Sequence, residues 1–335
     1  MNTDNKKIAV IILNWNGLDL LKRFLPDAAR FTICADADLI VADNGSTDGS
    51  IQYIETACPD VRVLAFPENL GFAAGYNRAI GLCADYPCVL LLNSDVLVTE
   101  GWLSPLLSYM EAHPSCGALQ PKIRSFRQPE YFEYAGAAGG LLDRNGYPFC
   151  RGRLFSVVEK DEGQYDGAPA PVAWASGAAL MVRTALYRSL GGLDPDFFAH
   201  MEEIDLCVRI HAAGYSIVCV PDSTVYHVGG ASLAQGNPKK TYLNFRNNLL
   251  LLHKNLPPRR GWRVLFRRRL YDALAWAMFM LKADFRNAAA ILRAHRDFRR
   301  MRRNYTSLPD TDTLASLPGA SRNIIIDHFI KRMKK

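Results

Sequence analysis

Four short apolar runs in the first hundred residues limit what this chain can fold into more than any other feature. They are IAVIIL (8–13), DLIVA (38–42), VRVLAF (61–66) and VLLLN (89–93). Each is rich in Val, Ile and Leu without polar alternation, the pattern of strands covered on both faces. Helical-looking segments separate them at 18–30, 47–57 and 72–84. Strand, helix, strand, helix at this spacing predicts an α/β domain: a doubly wound, mostly parallel sheet flanked by helices.

The ends of the runs predict where a ligand sits. Asn14-Trp15-Asn16-Gly17 follows the first, Asp43-Asn44-Gly45-Ser46 the second, Glu68-Asn69-Leu70-Gly71 the third and Asn93-Ser94-Asp95 the fourth. In a parallel sheet these carboxyl ends lie side by side, where open α/β sheets bind ligands. One polar terminus is an ordinary loop, and Asp43-Asn44-Gly45 alone reads as a tight turn. Four together read as a site. The first turn is NWNG rather than GxGxxG, and there is no GxxxxGK[ST]. A dinucleotide loop and P-loop phosphoryl transfer are therefore excluded.

With 49% hydrophobic and 22% charged residues over 335 positions, the chain is globular and has a sizeable core. Its eight cysteines form no CxxC pair, which predicts reduced thiols in a cytoplasmic protein rather than zinc or disulfides. No run of eighteen apolar residues occurs, so nothing is expected to span a membrane. The net charge of +7 is unevenly spread: residues 1–253 carry 20 Lys/Arg against 27 Asp/Glu, and residues 254–303 carry 15 against 3. An acidic body with a basic tail points to an anionic partner for the tail.

Assembled in order, VIILNWNG, IVADNGSTDGS, NLGFAAGYNRAI, LLLNSDV, the long segment from ASGAALMVR to VYHVGG, and NFRNNLLLL resemble a family 2 glycosyltransferase of GT-A fold, rhamnosyltransferase-like. The likeness covers roughly residues 7 to 255. It implies a catalytic domain over 1–255, a basic helical extension over 256–335, and inverting transfer of a sugar from a nucleoside-diphospho-sugar, with dTDP-rhamnose the favoured donor. The implied acceptor is a lipid-linked saccharide of bacterial surface-polysaccharide synthesis. Nucleotide-sugar contacts fall on Asn14, Asn16, Asp43, Asn44, Gly71, Asn93, Ser94, Ser176 and Gly177. The family's DxD motif begins here with Asn93, leaving Asp95 as the strong carboxylate for a Mg²⁺ or Mn²⁺ ion, with His227 as the second donor. Oxygen and nitrogen donors suit such cations. Glu203 is implied as the base that deprotonates the acceptor hydroxyl, with Glu202 as the alternative. Asp205 and Arg209 are spaced for an i,i+4 ion pair on a helix ended by Gly214. Residues 126–172 show no periodicity and read as an insertion and mobile loop.

Two other functions fit such a sheet. A sugar nucleotidyltransferase usually carries a Gly-rich basic loop after the first strand, which NWNG is not. An inactive binding module would be expected to have lost the carboxylates at 95 and 203. In the tail, basic clusters alternate with the apolar stretch Leu270–Leu281, and Trp262, Phe266 and Trp276 lie among the arginines. This predicts helices in the headgroup layer of an anionic membrane surface, on its cytoplasmic side. A hairpin packed on the catalytic domain, or a contact between two copies in a homodimer, is the alternative. No nucleic-acid motif accompanies the charges.

Overall fold

The computed structural model describes residues 6–229 and 236–331. Its first half alternates as the runs predict: β1 (Ile8–Asn14), α1 (Leu18–Thr32), β2 (Ala37–Asp43), α2 (Ser50–Ala57), β3 (Arg62–Ala65), α3 (Phe72–Gly81) and β4 (Cys88–Leu92). β1 pairs in parallel with β2 on one side and β4 on the other, so Ile11 faces Ile40 and Leu91. Alternate residues of β1 enter opposite cores, Ala9 and Ile11 on one face, Ile8, Val10 and Ile12 on the other. Burial on both faces explains the absence of polar alternation. β3 departs from this. It pairs only with β2, at the sheet edge, and exposes Arg62 and Ala65.

The chain continues through β5 (Val96–Leu97), α4 (Leu103–Ala112) and β6 (Cys116–Ser125). Residues 126–172, expected as an unstructured insertion, instead contain a second sheet. It comprises β7 (Gly140–Leu142), β8 (Pro148–Cys150), β9 (Arg153–Leu154) and β10 (Val157–Val158), and β11 (Ala170–Pro171) joins the main sheet. Strands of two or three residues are too short to carry a period, so the sequence does not display them. The small sheet packs closely on the segment that follows β11: a Cβ at Gly140 would lie 2.1 Å from the Trp174 ring, so only glycine fits there.

β12 (Ala179–Arg183), α5 (Thr184–Ser189), α6 (Glu202–Ala212) and β13 (Ser216–His227) complete a nine-stranded sheet of order β11-β13-β6-β12-β4-β1-β2-β3, with β5 paired to β13. β12 runs antiparallel between β4 and β6, and β13 is parallel to β6. The sheet is mostly parallel. Helices α7 (Pro238–Asn255), α8 (Pro258–Leu281) and α9 (Phe285–Met301) follow and pack on one another. Buried Arg268 lies 3.7 Å from the Tyr147 ring centre and 3.2 Å from Asp272, which His295 approaches at 3.0 Å. That network joins α8 to α9 and to the small sheet. All eight cysteines are free thiols and only Cys34 is exposed. Among the described residues, no helix is long and apolar enough to cross a membrane.

Candidate active site

The loops after β1, β2 and β3 are tied together by their own polar side chains. Asn14 Nδ2 donates to Asp43 Oδ2 at 2.9 Å, and the Ser46 backbone N–H donates to Asp43 Oδ1 at 2.8 Å. Both oxygens of Asp43 are thus engaged, and the residue is fully buried. Asn44 reaches the third loop, donating to Asn69 Oδ1 and the Gly71 carbonyl and accepting from Leu70 N–H. Asn16 Oδ1 accepts from Thr47 N–H at 2.8 Å. Asp48 accepts from Leu18 N–H at the start of α1 and from Ser50 N–H at the start of α2, so one carboxylate serves two helix ends. The Asn14 Oδ1 atom is buried with no partner, an acceptor available to a ligand. The cleft continues along Asn69, Leu70, Gly71 and Phe72 to Pro195 and Phe198.

At the end of β4 the chain turns through Asn93-Ser94-Asp95 into β5, which pairs antiparallel with the end of β13. That register sets Val96 opposite His227 and brings His227 Nε2 to 3.1 Å from Asp95 Oδ1. Asn93 Nδ2 lies 3.4 Å from the same nitrogen. On the other side of the ring, Nδ1 stands 3.6 Å from Glu133 Oε1, an ion-pair distance without a hydrogen bond. Burial disfavours a proton on His227, but the Asp95 and Glu133 carboxylates outweigh it and raise its pKa to about 10. Glu133 comes from the region that showed no pattern, and nothing in its sequence context marks it.

Glu202 and Glu203 open α6. Glu202 is buried, Glu203 partly so, and the Oε2 atom of each is buried without a partner. Burial, then the charge of Glu203, raises the Glu202 pKa well above its ordinary 4.5. Burial also raises that of Glu203, while backbone N–H groups at the helix start pull it back. The turn before β12 links this pair to Asn93. The Ala178 carbonyl accepts from Asn93 N–H at 3.0 Å, and a Cβ at Gly177 would lie 3.7 Å from Glu203 Cβ. Ser176 is directed elsewhere, its hydroxyl donating to the Ala135 carbonyl.

Because Glu202 holds its proton more tightly folded than unfolded, its own contribution to stability is full below pH 4.5 and is lost as pH rises towards the folded pKa. The Glu202→Gln variant removes that loss. It is expected to melt at a higher temperature than the parent at neutral pH and at the same temperature below pH 4.5, by thermal denaturation across pH.

The loop delivering these glutamates is strained. Phe198, His200 and Met201 have φ of 65°, 67° and 76°, a region unfavourable to non-glycine residues. Two α7 side chains hold it there. Asn247 Nδ2 contacts the Phe197, Ala199 and His200 carbonyls at 2.8, 2.8 and 2.7 Å. Arg246 donates to the Asp196 and Phe197 carbonyls and to Asn247 Oδ1. Asp205, at the next turn of α6, pairs with Arg209 at 2.8 Å as the spacing predicts, and also with Lys254 at 2.9 Å. The NFRNN segment, which in the sequence is one of the stretches that carry the family resemblance, thus fastens the loop by buried contacts. Losing a buried partner costs about 1–3 kcal/mol. Asn247→Ala is expected to destabilise by that order and to lower turnover, seen by urea denaturation and steady-state rates.

Known proteins match this architecture. The family model "Glycosyl transferase family 2" covers residues 9–159. The N-acetylglucosaminyl-diphospho-decaprenol L-rhamnosyltransferase of Mycobacterium tuberculosis is 30% identical over 237 residues, 66% of this chain and 75% of that protein. Among solved structures, GalNAc-T7 with UDP, GalNAc and Mn²⁺ superposes with a TM-score of 0.58 at 15% identity, over 77% of this chain; the chain spans only 49% of that structure. The mannosyltransferase PcManGT of Pyrobaculum calidifontis, in complex with GDP-Man and Mn²⁺, superposes at 0.53 with 16% identity, over 99% of this chain and 89% of that one. At such identities the structural likeness is one of fold, and the fold is GT-A. Family match and rhamnosyltransferase relative agree with the strand-end loops and the sheet they stand on: the chain belongs to glycosyl transferase family 2.

Proposed function

We propose that this family 2 glycosyltransferase moves a sugar, with inversion and dependence on a divalent cation, from a nucleoside-diphospho-sugar to a lipid-linked saccharide. The observation carrying the reading is the meeting of Asp95 and His227 at 3.1 Å, 132 residues apart in sequence, beside a turn that leads to Glu203. Residues 1–255 are read as the catalytic domain and 256–335 as an extension that rests on an anionic membrane surface.

Asp95 and His227 would suit a Mg²⁺ or Mn²⁺ ion once the cation displaces the proton that the carboxylates hold on the imidazole: one oxygen and one nitrogen donor share a buried space, and Asn93 is close by. No group of three or more His, Cys, Asp or Glu able to hold a metal exists among the described residues, so the remaining ligands would come from the donor diphosphate and water, as is usual for Mg²⁺. When bound, the ion neutralises charge on the departing nucleoside diphosphate. Asn14, Asn16, Asp43, Asn44 and Gly71 form the nucleotide end, where Asp43 holds Asn14 and Ser46 in place. Asn93, Ser94 and Gly177 line the sugar end, while Ser176, bonded to the Ala135 carbonyl, braces the turn behind them.

Glu203 takes the proton of the acceptor hydroxyl as its oxygen bonds to the anomeric carbon and the bond to the diphosphate breaks. Desolvation favours a carboxylate that readily accepts a proton. Burial and the neighbouring charge raise the pKa of Glu202 the more, so Glu203 is the readier of the two to ionise. The rhamnosyltransferase relative supports a lipid-linked acceptor and makes dTDP-rhamnose the first donor to test. Incubation with Mn²⁺ and a panel of nucleotide sugars should release nucleoside diphosphate for one donor and stop on chelation. Pyrophosphate formation from a nucleoside triphosphate and a sugar phosphate would favour a nucleotidyltransferase instead.

A further inference from the structure

Helix α8 presents an apolar face to solvent. Trp262, Phe266, Leu270, Leu274 and Met278 recur every four residues, with exposures of 68, 49, 55, 62 and 49%. Leu281, at the end of α8, is 89% exposed, and Phe285, opening α9, is 61% exposed. Single exposed leucines are ordinary; a continuous stripe ending at a helical turn marks a contact surface. Trp276, expected among the interfacial residues, is only partly exposed, while Phe285 of α9 extends the apolar end.

The charges around this stripe select its partner. Arg263, Arg269, Arg286 and Arg293 are exposed on the same two helices, and Lys282 in the turn between them. The three acids of residues 254–303 are all engaged with other groups. Asp272 meets Arg268 and His295, Asp284 caps α9 through Asn287 N–H, and Asp297 accepts from Tyr242 and Arg296. Apolar side chains bordered by unneutralised cations match an anionic bilayer.

The hairpin also lies near the cleft. Asn287, one helical turn from the apolar end, donates to the Gly236 carbonyl and accepts from the Thr241 hydroxyl at the start of α7. Lys239, in that same turn of α7, stands 5.0 Å from the centre of the Phe198 ring, which lines the cleft.

We infer that the α8–α9 hairpin sinks its apolar end into an anionic bilayer and so turns the mouth of the cleft towards the lipid–water interface. A lipid-linked acceptor then reaches Glu203 without leaving the membrane. This orientation rests on the proposed lipid-linked acceptor, whereas the docking does not.

The test uses the full chain with vesicles of phosphatidylcholine alone or mixed with phosphatidylglycerol. Flotation should require phosphatidylglycerol, weaken with salt, and fall at least tenfold in the Leu274→Glu/Leu281→Glu double variant. Both positions are exposed, so circular dichroism should match the parent, and cation-dependent release of nucleoside diphosphate in vesicle-free solution should be unchanged. Hydrogen exchange on the vesicles should slow at 276–289 and 236–241 and stay the same at 113–115, which joins α4 to β6. Unimpaired flotation of the double variant, binding to phosphatidylcholine alone, or protection of the same segments by raised protein concentration without lipid would each overturn the docking. Protection of the hairpin without 236–241 would overturn the orientation. Absence of nucleotide release from a protein that floats as described would count against the transferase reading and leave the docking intact.

Discussion

Asp95→Ala is expected to abolish sugar transfer in a protein that still folds. The residue ends a turn that the β5–β13 pairing holds, and neither that pairing nor the core of β4 depends on its side chain. Its carboxylate contacts His227 alone among the described side chains, and His227 keeps Glu133 on its other face. Removing one partner of a buried polar pair costs about 1–3 kcal/mol, a lower melting temperature rather than loss of structure. The functional loss is much larger, because a single remaining protein donor cannot hold the cation against the donor diphosphate's growing charge. Titration of Mn²⁺ by calorimetry in the presence of nucleoside diphosphate should show binding in the parent and none in the variant. A folded variant with near-normal, metal-dependent turnover would remove Asp95 from the cation site.

Glu203→Gln should be the second large loss. The amide keeps the size of the side chain and much of its hydrogen bonding but does not accept a proton at neutral pH, so only the base function is removed. A positioned base contributes ~10²–10⁴-fold, and kcat should fall by that order while donor affinity stays within a few-fold. The parent's rate should rise with pH through a pKa above the usual carboxylate value, because burial raises that of Glu203; the variant should lack that limb. The pair titrates jointly, so the decisive comparison is with Glu202→Gln. If that variant suffers the large loss and Glu203→Gln does not, the base is the first residue of α6.

Much of the scaffold was legible because its determinants are local. IAVIIL, DLIVA and VLLLN became β1, β2 and β4 within a residue or so of the expected bounds, since burial on both faces leaves only β-branched and aliphatic residues there. The polar strand ends were legible for the same reason: Asn14 and Asp43 close β1 and β2 and Asn93 follows β4, so polar residues come where each apolar run stops. Asp205 and Arg209 paired as an i,i+4 spacing requires.

What the sequence by itself determined, then, were the elements, their order, and which of them carry polar ends. Only the tertiary structure decided which distant residues meet. The two-residue strand β5 pairs with β13 and thereby sets His227 against Asp95; a shift of one residue would turn every side chain of that strand to the other face. Glu133 reaches the same imidazole from a stretch whose strands are too short to show a period. Arg246 and Asn247, to which the sequence assigns no role of their own, hold the strained loop before Glu202 because α7 packs against it. β3 lies at an edge, and α8 turns an apolar stripe outward, because among the described residues no further strand or layer covers them. Local pattern records how each residue is buried along its own element, whereas contacts between elements follow from pairing register and packing, which no single segment contains.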